Sequence, residues 1–279
     1  MTNQYADRVR GMERIFKNLR WHAERLRSSS VHGGRVQYLT TSPDFPSKRA
    51  SIQAYAQKLR WVVTNVDRPA AIMRLAFHDT TCAEPQREGW VNGGRGDIAK
   101  SALDAAHRKV FGYGVAVDPL HFKGLMLEKS EANAAHDGRE IKGPIDKPTE
   151  QRVYQRIIDN RLEDGRFADY RVVVIGEALP CVYCKVKAFG LRYTNETAGV
   201  SLLETDDVFS AQEQTQLLAL CREMGVDFAE LDVLRDHGDG QAYVVDVNPT
   251  PYGPPAELKG RARKRAITLG AAALDQLRR

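Results

Sequence analysis

The chain has 279 residues, of which 42% are apolar, and it carries a formal net charge of +5 at pH 7. This length is sufficient to bury a large core and to divide into two or three lobes. No window approaches the roughly 18 consecutive apolar residues that a membrane-spanning helix needs. The N-terminus is polar and rich in arginine rather than having the apolar core of a signal peptide. We therefore expect a globular cytoplasmic protein without a membrane partner.

The basic residues are concentrated near the two ends of the sequence. Seven lie between Arg8 and Arg27, and five more lie between Lys259 and Arg265. Clusters of this kind could bind an anionic substrate or RNA. Both segments also carry apolar residues at helical spacing, so the solvated face of a helix is the simpler interpretation. We do not expect a nucleic-acid partner.

The first third of the chain predicts a small α/β lobe. Its elements are a helix from Tyr5 to Arg27, a strand from Arg35 to Leu39, a helix from Ser47 to Asn65 and a strand from Ala70 to Phe77. The serines at 28–30, followed by Gly33 and Gly34, are expected to end the first helix. A glycine-rich loop over 85–96 indicates a domain boundary, so we assign residues 1–97 to an N-terminal substrate lobe.

The rest of the chain predicts a small lid over residues 98–155 and a larger antiparallel-sheet lobe over 156–279. The elements of the lid are a helix from Ile98 to Val110, a strand ending at Lys129 and a turn at Asp137 and Gly138. Those of the large lobe are a run from Val153 to Asp159, a hairpin of Tyr170–Ile175 with Pro180–Lys187, a helix from the capping box Ser210/Glu213 to Gly225, and a basic final helix.

Two of the four cysteines have the CxxC spacing of zinc and redox sites. Cys181 and Cys184 lie in a strand-like run, however, where residues three apart point to opposite faces. Because no second pair of ligands accompanies them, we interpret them as buried free thiols.

The segment 226–251 carries the most informative polar residues. Two strand-like runs flank a glycine-containing turn, and a hairpin centred there sets Asp232 opposite Asp246. By the same register Glu230 lies opposite Asn248, and strand alternation places all four side chains on one face. Four apolar residues are expected on that face as well: Phe228, Leu234, Ala242 and Val244. The opposite face is expected to carry Ala229, Leu231, Val233, Tyr243, Val245 and Val247.

Clustered carboxylates repel one another unless a cation or a proton intervenes. A set of oxygen ligands suits Mg²⁺, and we favour a metal site here. The alternative is a solvent-facing polar surface, on which the apolar neighbours would be unusual. A magnesium site that holds a nucleotide shares the metal with phosphate oxygens, so cations should converge on it. Lys129, Arg171 and Lys185 are candidates, although each alone could be an ordinary surface charge.

Five segments, taken in chain order, resemble ATP-grasp enzymes, and most of all the D-alanine ligase and glutathione synthetase branch. They are the Lys129 strand with its loop, VYQRIID, DYRVVV, ELDVL and VVDVNPTP, and together they span roughly residue 92 to the C-terminus. The resemblance implies the ATP-grasp fold, with an N-terminal α/β lobe, a central lid and a C-terminal antiparallel-sheet lobe. It also implies ATP and Mg²⁺ as cofactors.

The resemblance assigns roles to single residues. The metal ligands would be Asp232, Asp246 and Asn248. Arg171 and Lys185 would stabilise the phosphate that is transferred, which makes them the catalytic residues.

The resemblance also implies a nucleotide site between the lid and the large lobe. Backbone groups of Gln155, Arg156, Ile157 and Ile158 would contact adenine. Asp159 would lie near the ribose, Lys129 would reach the phosphates from the lid, and Lys100 would be a second contact with the nucleotide.

Two departures from the family pattern bear on the lid and the substrate. The lid loop over 130–137 contains no glycine, so its closure would rely on Asn133 and His136. Glu230 stands where D-alanine ligases place an arginine, so we do not expect the substrate of the cell-wall ligases. Three other arginines are candidates for holding the acid substrate: Arg74, Arg95 and Arg192.

The implied reaction transfers the γ-phosphoryl group of ATP to a carboxylate, and an amine then attacks the acyl phosphate to form an amide. Its partners would be a small-molecule carboxylate and an amine, and a homodimer is one arrangement we consider. One alternative is an ATP-grasp kinase that forms no amide. A second is a basic RNA-binding protein, whose affinity would depend on salt and not on ATP. The sequence has no RNA-binding aromatic motif.

Overall fold

A computed structural model describes residues 21–132, 135, 137–187 and 197–278 of the chain. These residues form helices and three β-sheets, one parallel and two antiparallel, as the predicted mixed α/β fold requires. None of the helices in these ranges is long and apolar enough to cross a lipid bilayer.

The N-terminal lobe is built on a three-stranded parallel sheet. Its elements are α1 (21–31), β1 (Tyr38–Pro43), α2 (Ser51–Leu59), β2 (Val62–Thr64) and β3 (Ala71–Phe77). The strand order is β2-β1-β3. Helix α2 buries Ile52, Tyr55 and Ala56 on one side, so it is an amphipathic helix that covers apolar surface.

The first helix extends further than its sequence predicts. It continues to residue 31, because Ser28 is fully buried and its Oγ accepts a hydrogen bond from Gln37 N at 2.9 Å instead of competing for the helix backbone. The helix ends at the glycine pair, where Gly33 has a φ of 61°. The predicted part before residue 21 lies outside the described residues.

Two further boundaries in this lobe differ from the prediction. The first strand begins at Tyr38 and not at Arg35. Helix α2 ends at Leu59 and not at Asn65, because Arg60 takes the left-handed conformation with a φ of 62°. The β-branched residues that follow then pair with β1 as a strand, which is the conformation they favour.

The lid is a three-stranded antiparallel sheet. Helix α3 (Lys100–Phe111) precedes it, and its strands are β4 (Gly124–Ser130), β5 (Arg139–Gly143) and β6 (Arg152–Arg156). The order is β5-β4-β6, so the strand that ends at the lid loop lies in the middle.

The C-terminal lobe is a five-stranded antiparallel sheet of order β11-β10-β7-β8-β9. Its elements are β7 (Phe167–Ile175), β8 (Val182–Lys187), β9 (Gly199–Leu203), α4 (Thr205–Val208), α5 (Ala211–Glu223), β10 (Phe228–Arg235), β11 (Ala242–Asn248) and α6 (Gly260–Gln276). The hairpin of β7 with β8 and the capping box of Ser210 with Glu213 are both confirmed. Helices α3 and α5 cover one face, while α2 and α6 cover part of the other. The division of the chain at residue 97 stays a prediction.

The hairpin of β10 with β11 has the predicted register at its polar end. Asp232 lies opposite Asp246, and Glu230 lies opposite Asn248. A β-bulge follows, since Val233 pairs with Val244 and leaves Val245 without a partner in the ladder. The predicted faces are therefore wrong for residues 242–245 of β11. Ala242 and Val244 pack in the core under α3 and α5, whereas Tyr243 and Val245 pack on the other side, together with Leu234, which lies on its predicted face.

The cysteines are free thiols, as predicted. Cys181 and Cys184 are buried without a disulfide, and Cys221 is buried under the sheet as well. Burial raises the pKa of Cys181 to about 12, so this thiol stays protonated near neutral pH and is a poor metal ligand.

One buried asparagine connects the N-terminal lobe to the large sheet. Asn92 Oδ1 accepts hydrogen bonds from Asp227 N at 2.7 Å and from Phe228 N at 2.8 Å. Its Nδ2 donates to Phe228 O at 2.8 Å. The side chain thus acts as an additional strand residue at the start of β10, and it fixes how the glycine-rich loop meets the sheet.

Candidate active site

The candidate site lies on the face of the five-stranded sheet that α2 and α6 cover only in part. Side chains on this face change from apolar to charged along three neighbouring strands. On β7 the apolar residue is Val173 and the charged residue is Arg171, and on β8 they are Tyr183 and Lys185. On β10 the apolar residue Phe228 is followed on the same face by Glu230 and Asp232. The apolar half packs in the core with the N-terminal lobe. The charged half takes no part in this apolar packing and is the candidate ligand-binding surface.

Arg171 is the central cation of this face. It lies opposite Asp232 in the pairing of β7 with β10. Its Nε and Nη2 donate hydrogen bonds of 2.7 and 2.9 Å to the two carboxylate oxygens of Asp232. Burial alone would raise the pKa of Asp232, but the guanidinium of Arg171 holds that pKa below its usual value. Asp232 is therefore ionised at neutral pH.

Two lysines approach the same carboxylates from outside the sheet. Lys129 comes from β4 of the lid, and burial together with the charge of Lys100 lowers its pKa to about 8. Lys100, at the start of α3, is also buried, and its Nζ donates to Ala132 O in the lid loop at 2.7 Å. The charge of Asp246 acts on the pKa of both lysines in the opposite direction, as expected for neighbouring groups.

Cations and carboxylates are mixed in the site. Four cations, Lys100, Lys129, Arg171 and Lys185, lie close to three carboxylates, those of Glu230, Asp232 and Asp246. The charges of Glu131 and Asp137 also act on Lys100, and that of Asp169 acts on Lys185. Burial lowers the pKa of Lys185 and raises that of Glu230 to about 7. The cations suit a polyanion such as a phosphate chain, and the carboxylates suit a divalent cation bound with it.

The predicted metal ligands fit a divalent cation. Burial and the neighbouring Asp232 raise the pKa of Asp246, so the two carboxylates repel each other in a way that a cation would relieve. Asn248 Oδ1 accepts a hydrogen bond from Thr250 N at 2.9 Å, which fixes its orientation. Within the described ranges no three His, Cys, Asp or Glu side chains group together as a metal site. A cation held here would therefore need phosphate oxygens and water as further ligands, as Mg²⁺ commonly does.

The predicted adenine strand has part of its backbone already paired. Gln155 and Arg156 belong to β6, and Arg156 N donates to Val115 O at 2.8 Å. Ile157 and Ile158 lie just beyond the strand, where Ile158 O accepts from Asn160 N at 3.0 Å. Among the hydrogen bonds between described backbone groups outside the regular elements, none involves Ile157, so we take this residue as the centre of the position for a base.

Asp159 and Arg156 point into a separate polar network. The carboxylate of Asp159 accepts a hydrogen bond from Arg161 Nε at 2.7 Å. Arg156 donates to Tyr243 Oη at 2.9 Å and to Asp236 Oδ2 at 3.1 Å. The side chain of Arg156 thus joins the end of the lid to the turn between β10 and β11, and its contribution is structural in this arrangement.

Sequence reasoning missed two residues near the site. Lys187 forms an ion pair of 2.6 Å with Asp169, and its charge also acts on Asp232. It follows Lys185 by two residues on the same strand, so strand alternation could have identified it. Asp236 is buried and links Arg156 to the turn. Its position two residues before Gly238 is typical of an Asx turn, but the bond to Arg156 has no local signal.

Two of the three arginines suggested for the acid substrate form hydrogen bonds with other groups of the N-terminal lobe. Arg74 donates to Asp67 at 2.9 Å on the N-terminal lobe. Arg95 is 4% exposed and donates to Thr80 O at 3.0 Å. Arg192 lies outside the described residues, as do Asn133 and His136 of the lid loop.

Comparison with known proteins gives a result only at the level of structure. The sequence matches no known family profile and no curated protein. The ATP-grasp ligase PsnB, complexed with a phosphomimetic variant of its minimal precursor, Mg and ADP, has a TM-score of 0.55 at 13% identity. That comparison covers 88% of this chain and 98% of PsnB.

A second similar structure is D-alanine–D-alanine ligase from Bacillus anthracis. Its TM-score is 0.50 at 11% identity, over 87% of this chain and 95% of that one. VanG D-Ala:D-Ser ligase from Enterococcus faecalis has a TM-score of 0.50 at 11% identity, over 76% of this chain and 74% of that one. The three-stranded lid, the five-stranded antiparallel sheet and these likenesses agree with one another, and the chain has the ATP-grasp fold.

Proposed function

We propose that the protein is an ATP-dependent carboxylate–amine ligase, which forms an amide through an acyl phosphate and releases ADP and phosphate. One observation carries the proposal. Four cations from four different elements surround a cross-strand pair of carboxylates under the lid: Lys100, Lys129, Arg171 and Lys185. A nucleotide phosphate chain with a divalent cation satisfies both sets of charges at once. The ATP-grasp fold supports the same conclusion.

Each cation has a distinct place in this proposal. Lys129 and Lys100 hold the phosphates of ATP from the lid side, where their ammonium groups already share the charge of Asp246. Arg171 and Lys185 lie on the floor of the site and offset the negative charge that develops on the transferred phosphoryl group. The peptide groups around Ile157 bind the base. The protein thus contributes positioning and charge neutralisation, and no side-chain nucleophile is required.

Asp232, Asp246 and Asn248 would hold Mg²⁺ in this site. The metal supplies Lewis-acid stabilisation of the phosphate oxygens when it is bound. The chain's own part is to keep two carboxylates and one amide oxygen on adjacent strands, where their separation is set by the register of the sheet.

The acid and the amine are proposed to bind between the N-terminal lobe and the charged half of the sheet. Screening should include amino acids and peptides, since PsnB was solved with a precursor peptide. We place the reaction in the cytoplasm, where ATP is available. A homodimer remains a prediction.

An isotope experiment tests the reaction. The acid is labelled with ¹⁸O in its carboxylate, and ADP release is followed together with the label in inorganic phosphate. Transfer of one ¹⁸O atom to phosphate, in the presence of the amine, is the expected result, because the acyl phosphate breaks at its carbonyl carbon. ADP release that gives a stable phosphorylated product without phosphate and amide would instead identify a kinase.

A further inference from the structure

Glu230 is an acidic residue of the site that the proposed chemistry leaves without a role. Its side chain is 1% exposed, and within the described part of the chain neither carboxylate oxygen has a hydrogen-bond partner. A buried carboxylate in such surroundings is unfavourable unless a cation compensates it. The residue therefore fits a state of the protein in which it gains a closer partner.

Arg171 lies beside Glu230 but is held by another residue. Its Nη1 is 3.5 Å from Glu230 Oε2, which is longer than a normal hydrogen bond. Its other nitrogens donate to Asp232 at 2.7 and 2.9 Å. Glu230 and Asp232 are two residues apart on β10 and point to the same face. The guanidinium can therefore change from one carboxylate to the other by side-chain rotation, without movement of the sheet.

The surroundings of Glu230 fix it in place. A Cβ at Gly253 would lie only 2.7 Å from Glu230 Oε1, so the backbone of that loop packs directly on the carboxylate. Lys185 is the other cation whose charge acts on Glu230, and among the described contacts it forms no ion pair with it. Of these two cations, Arg171 is the one whose nitrogen already lies 3.5 Å from Glu230.

A metal at Asp232 would change the balance between the two carboxylates. Arg171 and a divalent cation on the same carboxylate repel each other, and this repulsion is strong in a partly buried site. Glu230 then becomes the better acceptor for the guanidinium, because both of its buried oxygens lack a hydrogen-bond partner among the described residues and one lies 3.5 Å from Arg171 Nη1. After the exchange each of the two carboxylates has a cation, which is the metal for Asp232 and Arg171 for Glu230.

We propose that Arg171 exchanges its partner from Asp232 to Glu230 when Asp232 becomes a metal ligand, which makes Glu230 the residue that positions Arg171 for the transferring phosphate. The proposal rests on the proposed function, since it requires the metal and the nucleotide at this site. It assigns a positioning role to a residue at which D-alanine ligases have arginine.

The consequence is a specific dependence on Mg²⁺. In the Glu230→Gln variant, Arg171 has no second carboxylate with which to pair. It therefore stays bonded to Asp232 and competes with the metal for that carboxylate. The Mg²⁺ concentration for half-maximal binding of a non-hydrolysable ATP analogue is expected to rise about tenfold or more, as for the loss of a charged hydrogen bond. Binding of the analogue without Mg²⁺ is expected to stay within about twofold of native, because Arg171 keeps its present partner.

Calorimetric titrations of three proteins test this: native, Glu230→Gln and the control Glu213→Gln. Glu213 forms an ion pair of 2.8 Å with Arg235 on the opposite side of the sheet, so its variant should need no more Mg²⁺ than native. In an Arg171→Gln background, Glu230→Gln should no longer change the Mg²⁺ requirement, whereas a merely structural role would leave its effect intact. An equal Mg²⁺ requirement for native and Glu230→Gln overturns the proposal.

A crystal structure of the native protein with the analogue and Mg²⁺ gives a second test that does not depend on any variant. Arg171 Nη1 should lie within about 3.2 Å of Glu230, with its two bonds to Asp232 lost. Retention of both bonds to Asp232 overturns the exchange and leaves the proposed function standing. If the native protein binds no nucleotide with Mg²⁺ at all, the proposed function fails, and the exchange fails with it.

Discussion

Arg171 and Asp232 face each other across neighbouring strands and share two hydrogen bonds of 2.7 and 2.9 Å. Replacing Arg171 by Gln leaves Asp232 and Glu230 without their main cation. We expect the free energy of unfolding at pH 7 to fall by about 1.5–3 kcal/mol, the usual range for hydrogen bonds to charged groups. Urea unfolding measures this. Arg161→Gln, which removes an exposed arginine–carboxylate pair, should change the free energy of unfolding much less, because exposed ion pairs contribute little. Equal effects of the two substitutions would contradict this account.

The pKa of Lys129 predicts a pH dependence of stability. Burial and the charge of Lys100 lower this pKa to about 8 in the folded protein, against about 10.4 in an unfolded chain. Between these pH values the unfolded state binds more protons, so this lysine makes the free energy of unfolding rise with pH across that window. The comparison of native protein with Lys129→Met between pH 8 and pH 10 isolates the contribution of Lys129. Identical pH profiles would show that the ammonium is not buried.

The same pKa predicts proton uptake on nucleotide binding. Phosphate beside Lys129 favours its charged form, so affinity should fall as pH rises through about 8. Calorimetry at pH 8 in two buffers of different ionisation enthalpy measures the protons taken up. Lys129→Arg stays charged and should lose this uptake while it keeps nucleotide binding. Unchanged uptake in Lys129→Arg would assign the proton to another group.

Asn92 is expected to be one of the most sensitive positions for stability. Asn92→Ala removes three side-chain hydrogen bonds to residues 227 and 228 and leaves their peptide groups buried. Its φ of 57° would also be unfavourable for alanine. We expect a loss of about 3 kcal/mol or more. In Asn92→Gly the backbone strain is absent but the three hydrogen bonds are still missing. This variant should therefore be only about 1 kcal/mol more stable than Asn92→Ala. Full recovery in Asn92→Gly would show that the hydrogen bonds contribute little.

Gly270 allows α6 to pack closely on α2. A Cβ at this position would lie 2.3 Å from Tyr55 Cζ, and that ring is fully buried. Glycine to alanine in an exposed helix interior stabilises by about 1 kcal/mol, but here we expect a loss of about 1–3 kcal/mol from overpacking. Thermal unfolding of Gly270→Ala and of the exposed control Thr268→Ala checks the sign. A stabilised Gly270→Ala would mean that the two helices are not in contact in solution.

The part of the site that lies on one hairpin was predictable from the sequence. The turn between β10 and β11 sets the register, and the pairing of Asp232 with Asp246 follows from it. The bulge at Val245 was not predictable, because Val244, Val245 and Val247 all suit a regular strand and nothing marks Val245 as the unpaired residue. The same hairpin thus has the predicted register at Asp232 and Asp246 and wrong faces a few residues further along β11, while the metal site there stays a prediction.

The contacts between distant segments could not be read from the sequence. The bond of Arg171 to Asp232 and the burial of Glu230 depend on how β7 lies beside β10. The end of α2 at Arg60 depends on the pairing of β2 with β1, which overrides a local pattern that favours helix. Lys129, Arg171 and Lys185 were candidates from the sequence alone, but each also fitted an ordinary surface charge. The resemblance to ATP-grasp enzymes gave them roles and added Lys100.

The central claim is a site that binds ATP and Mg²⁺ together. The most direct test is the unfolding temperature of the native protein with ATP alone, with Mg²⁺ alone and with both. A ligand at about 100 times its dissociation constant adds about 2.7 kcal/mol of stability. We predict that the unfolding temperature of the native protein rises strongly only when ATP and Mg²⁺ are both present. The double variant Asp246→Ala with Asn248→Ala should show no such rise. The control Asp207→Ala should respond as the native protein does. The absence of any shift in the native protein would contradict the account.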